Sequence, residues 1–303
     1  MNRILITGGS GLIGTRLTAL LLNKGYQIHH LSREKRNNKP HDEVRHFVWD
    51  IEKGQIDKAA FDGVKAIIHL AGAGVADKRW TAARKQEIID SRVKSGELLY
   101  SFLKNEPHEV EAFITAGAVG YYGDCGAAVI TEDHKPGTDF LASVCKKWEL
   151  PAQNIGQLGI REVRCRIGVV LDAKGGALPE LIKTLPYGFA TYFSKDPLYY
   201  PWVHIDDVCG MMIHAIEDET MHGPYNVSAP DPLPMRTIMK EILTGTKSKA
   251  VLLPVSRAMI QLGMGQMSQM LQSSQLCSAD KLLKTGYQFV FPDIKLALED
   301  VLK

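Results

Sequence analysis

The sequence lacks the features that mark several large classes of protein. No apolar run approaches the roughly 20 residues needed to cross a bilayer, and the first one is too short for a signal peptide. A net charge of only +2 gives no electrostatic reason to bind nucleic acid or an anionic membrane. The five cysteines form no CxxC pair and no metal-ligand cluster. We therefore expect a cytoplasmic protein with reduced thiols, no metal and no nucleic-acid or membrane partner.

What is present is an alternation of strand-like and helix-like segments. β-branched apolar runs predict strands over 3–7, 26–31, 44–49, 64–70, 112–115 and 162–171, and helical spacing of apolar residues predicts helices over 12–23, 81–103 and 139–154. This alternation predicts an α/β fold, a Rossmann doubly wound parallel sheet covered on both faces. We expect it to span residues 1–230, with an aromatic, proline-broken substrate-side loop at 186–201 and a small, mainly helical region at 251–303.

A glycine-rich turn joins the first predicted strand to the first predicted helix. Glycines that lack Cβ let the backbone turn tightly and approach a pyrophosphate, whose charge then lies at the free N–H groups of the helix start. A GxGxxG pattern alone is weak evidence, but here it has the strand–turn–helix context that the mechanism requires. The turn predicts a dinucleotide site formed by Thr7, Gly8, Gly9, Ser10, Gly11, Leu12, Ile13 and Gly14.

The end of the second predicted strand indicates which dinucleotide is preferred. Enzymes that use NAD usually carry an acidic residue there, to bind the ribose 2′-hydroxyl. This chain has Ser32 and Arg33, followed by Lys35 and Arg36. A guanidinium fork matches a 2′-phosphate, so we expect NADP(H) in preference to NAD(H). The alternative is that Arg33 only points into water.

Several motifs together resemble the extended short-chain dehydrogenase/reductases, the nucleotide-sugar epimerase and dehydratase group. TGGSGLIG at 7–14, Asp50 after the third strand, HLAGAG at 69–74 and WVHIDDV at 202–208 match that group in order. Within it, the chain is most similar to an atypical branch of epimerase-like NAD(P)-binding proteins. The stretches that match this branch are AVGYYG at 118–123, DFL at 139–141, RIGVV at 166–170, SSQ at 273–275 and residues 282–292.

The resemblance implies further contacts with the cofactor. Asp50 would meet the adenine amino group, and Thr115 would lie beneath the nicotinamide ribose. Glu87 and Arg92 would face the cofactor from the long helix, although both could instead be surface charges on a solvated helix face. The remaining implied contacts are Leu70, Ala71, Gly72 and Val169.

The same resemblance fails at the catalytic positions. Active members of the larger family use a Tyr-x-x-x-Lys pair, in which the lysine lowers the pKa of the tyrosine for proton exchange. Alignment on Trp148-Glu149 puts Leu141 at the tyrosine position and Cys145 at the lysine position. Leucine cannot transfer a proton. The substitutes are Thr115, Tyr121 and Cys145, although the tyrosine could be a packed side chain and the cysteine a small hydrophobe.

Two functions remain open from the sequence. The first is an NADP(H)-dependent oxidoreductase or epimerase-like enzyme that acts on a small polar substrate, by family analogy a nucleotide sugar. Close relatives have a glycine-rich stretch that is replaced here by residues 188–195, and this weakens any inference of the substrate from those relatives. The second is a non-catalytic NADP(H)-binding sensor, which the missing tyrosine and lysine favour. We expect His204 to be structural, and the pair Asp206-Asp207 lacks histidines at metal-ligand spacing.

Overall fold

A computed structural model describes residues 3–35, 37–39, 42–193 and 197–303 of the chain. The main sheet has eight strands in the order β14-β8-β6-β5-β1-β2-β3-β4, all parallel except the β3–β4 pair. These strands are β1 (Arg3–Thr7), β2 (Gln27–Ser32), β3 (Val44–Asp50), β4 (Gln55–Ile56), β5 (Val64–His69), β6 (Ala112–Ala118), β8 (Arg161–Ile167) and β14 (Gly223–Val227). The predicted doubly wound Rossmann sheet is confirmed.

Helices cover both faces of this sheet. Alternate residues of a strand point to opposite faces, so Ile4 and Ile6 pack with α1 and α5, whereas Leu5 packs with α2 and α3. All three are fully buried, as the strands of a parallel sheet usually are. The covering helices are α1 (Leu12–Asn23), α2 (Ala82–Asn105), α3 (Phe140–Gly156) and α5 (Ile205–Glu217). No helix within the described ranges combines the length and apolarity that a membrane span requires.

Besides the two apolar clusters on the faces of the main sheet, a further apolar cluster lies beyond the carboxyl ends of its strands. It joins side chains from the middle of the chain, such as Trp202 and Met239, to Leu298 of the last helix. We call this the substrate-side cluster. The remaining strands and α-helices of the described residues are β7 (Val129–Ile130), β9 (Val169–Asp172), β10 (Gly175–Gly176), α4 (Leu178–Ile182), β11 (Phe189–Phe193), β12 (Tyr199–Tyr200), β13 (Trp202–His204), β15 (Leu233–Pro234), α6 (Met235–Gly245), β16 (Val251–Val255), α7 (Arg257–Met264), α8 (Gln269–Gln272), β17 (Leu276–Cys277), α9 (Asp280–Leu283) and α10 (Ile294–Val301).

Two local predictions are corrected by this arrangement. Much of the expected loop at 186–201 is regular: β11 pairs in parallel with β16, and β12 pairs antiparallel with β15. The alternating burial along FATYF is typical of a half-buried strand. Its partner strand lies some 60 residues further along the chain, so no local sequence pattern could reveal the pairing. The single strand expected over 162–171 is interrupted at Gly168, where a Cβ would collide with the carbonyl oxygen of Pro201. Residues 194–196 and Arg36 lie outside the described part.

Candidate functional site: a dinucleotide cleft

The glycine turn lies where the strand order of the main sheet reverses, between β1 and its neighbours β2 and β5. Gly8 has a φ of +70°, and a Cβ there would stand 2.8 Å from the backbone carbon of Leu70. A Cβ on Gly14 would collide with the carbonyl oxygen of Gly8 and stand 2.7 Å from the Cα of Gly9. Only glycine therefore fits both positions, and the backbone of the turn stays bare.

The first turn of α1 is left open to an anion. Its N-cap residue, Gly11, provides no side-chain cap, and the turn contains no acidic residue. The N–H groups of a first helical turn have no partner within the helix, so they are available to a bound group. Positive partial charge at the helix start adds to this preference for an anion. The residues therefore fit the pyrophosphate of a dinucleotide.

Thr7 acts from beneath the turn. Its hydroxyl is completely buried, lies 2.7 Å from Nδ1 of His69, and accepts the N–H groups of Leu70 and Ala71 at 3.2 Å each. The side chain of Thr7 thus holds the loop after β5 against the glycine turn. It orders the cleft and has no spare hydrogen-bonding capacity directed to a ligand.

The charged residues predicted at the adenosine side lie at strand and helix ends. Ser32 donates its hydroxyl to the carbonyl of Glu34 at 2.8 Å, and Arg33 is exposed one residue beyond β2. The Asp50 carboxylate, at the end of β3, accepts the Lys53 N–H at 3.1 Å and its ammonium at 3.0 Å, which lowers the pKa of this carboxyl. The Glu87 carboxylate is exposed and paired with Arg84 at 2.8 Å.

Arg92 lies across the loop that follows β5. It is 7% exposed, and its Nη1 donates to the carbonyl oxygens of Ala73 at 2.8 Å and Ile88 at 3.1 Å. The guanidinium carbon stands 3.1 Å from where a Cβ of Gly72 would be, so this glycine makes room for it. Of the two alternatives for Arg92, a solvated surface charge is therefore wrong.

The three predicted catalytic substitutes are placed very differently. Thr115 is 1% exposed inside β6, and its hydroxyl donates to the carbonyl of Ala116 at 3.2 Å. Cys145 is 4% exposed, and burial raises the pKa of its thiol to about 12. Tyr121 is half-buried just beyond β6. Val169 is also half-buried, at the start of β9, where its N–H donates to the Pro201 carbonyl at 2.7 Å.

The structure brings the two altered family positions together beside Gly120. A Cβ on that glycine would stand 3.5 Å from Cβ of Leu141 and 3.8 Å from Sγ of Cys145. Both side chains come from the first turns of α3, whose N-cap Asp139 accepts the N–H of Ala142. The two positions that the sequence resemblance assigns to a tyrosine and a lysine thus hold an apolar side chain and a thiol whose pKa is raised by burial.

A buried charge network beside Tyr121 was missed by sequence reasoning. Arg166 donates to both oxygens of Glu149 at 2.8 and 3.0 Å, and Arg164 donates to the same carboxylate at 3.0 Å. The Arg166 guanidinium also lies 3.6 Å from the centroid of the Tyr121 ring and donates to the Tyr122 hydroxyl at 2.9 Å. The signal was available: arginines in a predicted buried strand need an acidic partner.

The WVHIDDV stretch is structural, as expected for His204. Nδ1 of this histidine accepts the Asp206 N–H and caps α5, while its ring packs 3.8 Å from that of Phe291. Asp206 binds Arg16 of α1 through both carboxylate oxygens at 2.6 and 2.8 Å. Asp207 accepts the N–H groups of Val290 at 2.7 Å and Phe291 at 3.0 Å. Among the described residues, no three Asp, Glu, His or Cys side chains lie close enough together to bind a metal ion.

The sheet and the open glycine turn define a dinucleotide-binding protein of the extended short-chain dehydrogenase/reductase type. Comparison with known proteins gives the family. Residues 4–143 match the NAD dependent epimerase/dehydratase family, and residues 255–301 match a domain of unknown function, DUF1731. The epimerase family protein SSP1921 of Staphylococcus saprophyticus is 33% identical over 304 residues, which cover 99% of each chain. The chain belongs to this epimerase family, in its atypical extended branch.

Solved structures agree with this assignment. The crystal structure of human epimerase family protein SDR39U1 with NADPH superposes with a TM-score of 0.85 at 27% identity, and covers 99% of this chain and 98% of the human one. UDP-glucuronic acid 4-epimerase from Bacillus cereus, solved with UDP-glucuronic acid and NAD, has a TM-score of 0.78 over 99% of this chain and 97% of its own. At 16% identity the latter shows the fold alone.

Proposed function

We propose that this chain binds NADP(H) in preference to NAD(H). The observation that carries the preference is the exposed Arg33 beyond β2, because Thr7 and Leu31 are register partners and Arg33 therefore follows close to the glycine turn. A guanidinium fork can bind a 2′-phosphate through two hydrogen bonds, whereas a ribose hydroxyl offers it little. The NADPH bound by the human relative supports the proposal. The five free thiols suit the cytoplasm, where we place the protein.

The activity we propose is that of an oxidoreductase or epimerase-like enzyme on a small polar substrate, of which a nucleotide sugar is the family example. The substrate would lie between the carboxyl ends of the main strands and the substrate-side cluster, where open α/β sheets bind ligands. Tyr121 is the best candidate for proton transfer. Tyr121 is half-buried just beyond the carboxyl end of β6, whereas Thr115 and Cys145 are buried.

A second candidate is a non-catalytic sensor of the NADPH/NADP⁺ ratio. The observation that favours it is the pairing of Leu141 with a protonated Cys145 at the family's tyrosine and lysine positions. Neither group can exchange a proton with a substrate near neutral pH. Such a protein would bind the dinucleotide and pass its state to a protein partner.

Cofactor choice is tested by titrating NADPH and NADH into the wild type and into Arg33→Asp. We expect the variant to lose much more affinity for NADPH than for NADH, because only NADPH carries the 2′-phosphate. Lys295→Asp, which makes the same kind of charge change at an exposed position of α10, serves as the control. Equal losses for the two nucleotides in Arg33→Asp would remove the basis for the NADP(H) assignment.

Catalysis is tested by following NADPH oxidation in a screen of carbonyl compounds. An enzyme should consume NADPH with at least one of them, and Tyr121→Phe should reduce that rate by about a hundredfold if the phenol donates the proton. Tyr122→Phe is the matched variant, since the Tyr122 hydroxyl is buried and donates to Asn226 at 2.6 Å. Absence of turnover, with a partner protein that binds in NADPH but not in NADP⁺, would favour the sensor.

A further inference from the structure

Arg92 is a buried cation without an acidic partner. Two backbone carbonyls accept from its Nη1, but Nε is buried with no hydrogen-bond partner in the described structure. No carboxylate among the described residues lies within ion-pair distance of the guanidinium. Burial of an uncompensated charge is expensive, and such charges are usually paired. Arg92 therefore carries a positive charge that no carboxylate of the described residues contacts directly, although the more distant Asp77 carboxylate also acts on it.

Other buried arginines in the described structure are neutralised. Arg84, on the same helix and also 7% exposed, pairs with Glu87 at 2.8 Å. Arg164 and Arg166 share the carboxylate of Glu149 at 3.0 and 2.8 Å. The half-buried Arg161 also has no ion pair, but both of its terminal nitrogens donate to backbone carbonyls. Arg92 combines burial, the lack of a carboxylate partner and an Nε with no hydrogen-bond partner.

The position of Arg92 relates this charge to the bound dinucleotide. The guanidinium lies 4.6 Å from the ring centroid of Trp148 and against Gly72 in the cofactor loop. Its charge also acts on the Cys145 thiol, at the family's lysine position. Arg92 contacts Trp148, which lies one helical turn after Cys145 on α3, so α2 supplies a cation near the position where family members place one from α3. In those members the catalytic tyrosine can carry a compensating negative charge as phenolate, but Leu141 cannot.

We propose that Arg92 makes the cleft discriminate between the two redox states of its dinucleotide, favouring NADPH over NADP⁺. The nicotinamide ring is neutral when reduced and carries a positive charge when oxidised, while the phosphates are the same in both. An unpaired guanidinium in a poorly solvated cleft repels the oxidised ring with little screening. The inference rests on the proposed NADP(H) binding. A preference for NADPH over NADP⁺ would serve a reductase, and it would equally give a sensor its dependence on the redox state of the dinucleotide.

The test is direct calorimetric titration of NADPH and NADP⁺ into wild type, Arg92→Gln and Arg92→Lys. We expect the wild type to bind NADPH at least about tenfold more tightly, which a repulsion of this kind readily supplies. Arg92→Gln should bring the two affinities close together, chiefly by tightening NADP⁺, and Arg92→Lys should keep the preference. Arg79→Gln removes a cation from the exposed segment before the same helix and should leave the ratio unchanged.

A measurement on the wild type alone guards against a variant that fails to fold. Adenosine 2′-phosphate 5′-diphosphoribose carries the same phosphates as the cofactor but has no nicotinamide. We expect NADP⁺ to bind no more tightly than this compound, and NADPH to bind more tightly than both. Equal affinities for NADPH and NADP⁺ in the wild type, or an unchanged ratio in a folded Arg92→Gln, would overturn the inference while leaving dinucleotide binding intact. If no nucleotide binds, the proposed function fails as well.

Discussion

The hydroxyl of Thr7 lies 2.7 Å from Nδ1 of His69, and both side chains are buried beneath the cofactor cleft. Because this hydroxyl already accepts two N–H groups, its own proton points to Nδ1, which must then be the unprotonated nitrogen of a neutral ring. Nε2 carries the proton and faces the Ser95 hydroxyl at 3.2 Å. Three elements, β1, β5 and α2, are thus connected by one hydrogen-bonded chain.

Replacing Thr7 by valine should destabilise the protein without creating a cavity. The change leaves the Ala71 N–H and Nδ1 of His69 without the hydroxyl, while the Leu70 N–H keeps the Thr7 carbonyl at 3.2 Å. We expect this to cost about 2 kcal/mol of unfolding free energy. Urea unfolding measures this loss. Thr131→Val, at an exposed position, is the control and should change the unfolding free energy little. A Thr7→Val protein as stable as the wild type would contradict the role assigned to this hydroxyl.

Acid should weaken the fold through His69. Burial lowers the pKa of His69 to about 4, with a smaller contribution from the charge of Arg92, whereas in the unfolded chain it stays near 6.5. Between these values the unfolded state binds the proton and the folded state does not, so stability is full above about pH 6.5 and falls as the pH drops towards 4.

The expected loss through His69 is about 2 kcal/mol between neutral pH and pH near 5. Urea unfolding at several pH values measures it, and His69→Asn should show a shallower dependence than the wild type. His29 and His204 also have lowered pKa values because of burial, so part of the slope should persist in the variant. An identical slope in both proteins would exclude His69 as a source.

Two glycines with positive φ allow the steric requirement of the cleft to be tested separately from backbone strain. Gly8 has a φ of +70° and no room for a Cβ, whereas Gly25 has a φ of +82° and nothing within 4 Å. Gly25→Ala should cost about 1 kcal/mol of stability and leave NADPH affinity unchanged. Gly8→Ala must displace the Leu70 backbone and should weaken NADPH binding by more than about tenfold. Similar affinities for the two variants would refute the steric account of Gly8.

Removal of the buried carboxylate of Glu149 should be strongly destabilising. Glu149→Gln leaves the buried Arg166 without its carboxylate partner, whereas Arg164 keeps Glu162 at 3.0 Å. We expect a cost of about 3 kcal/mol or more. Thermal and urea unfolding report the change. Glu97→Gln, on the exposed face of α2, provides the comparison and should have little effect. A small loss in Glu149→Gln would mean that the arginines find another partner or contact water.

The thiols should differ in reactivity in the folded protein. Cys125 is half-buried, whereas Cys145 is 4% exposed and its raised pKa keeps it protonated at neutral pH. Brief treatment with iodoacetamide, followed by peptide mass spectrometry, should label Cys125 first. Cys145 should react only in denaturant. Fast labelling of Cys145 in the native protein would restore it as a candidate nucleophile.

The sequence predicted the half of the fold whose signals are local. The glycine turn and the apolar strands each have a geometry or environment set by neighbouring residues in the sequence, so short patterns were enough. The pairing of β11 with β16 depends on segments far apart in the chain, and its strand was therefore mistaken for a loop. A break at Gly168 was missed because the clash that requires glycine comes from Pro201.

The candidate site was predicted less completely than the fold. Motif matching identified Leu141 and Cys145 as departures from the family pattern. It could not show that the Thr7 hydroxyl already has hydrogen-bond partners within the protein. Nor could it tell that Arg92 is buried without a carboxylate. Whether a polar side chain has a spare hydrogen bond depends on its neighbours in three dimensions, and the neighbours of these residues come from other elements of the fold.

The contacts of the last 30 or so residues also bear on how the chain is made. The backbone of residues 290 and 291 binds Asp207, and Leu298 fills the cluster around Met239. During synthesis on a ribosome, the strands of the main sheet can assemble once β14, which ends at Val227, has emerged. N-terminal units generally fold first. The substrate-side cluster must wait until residues 290–301 have been synthesised. During that interval its apolar surface is uncovered, so a chain truncated before residue 290 should aggregate rather than give a shorter working protein.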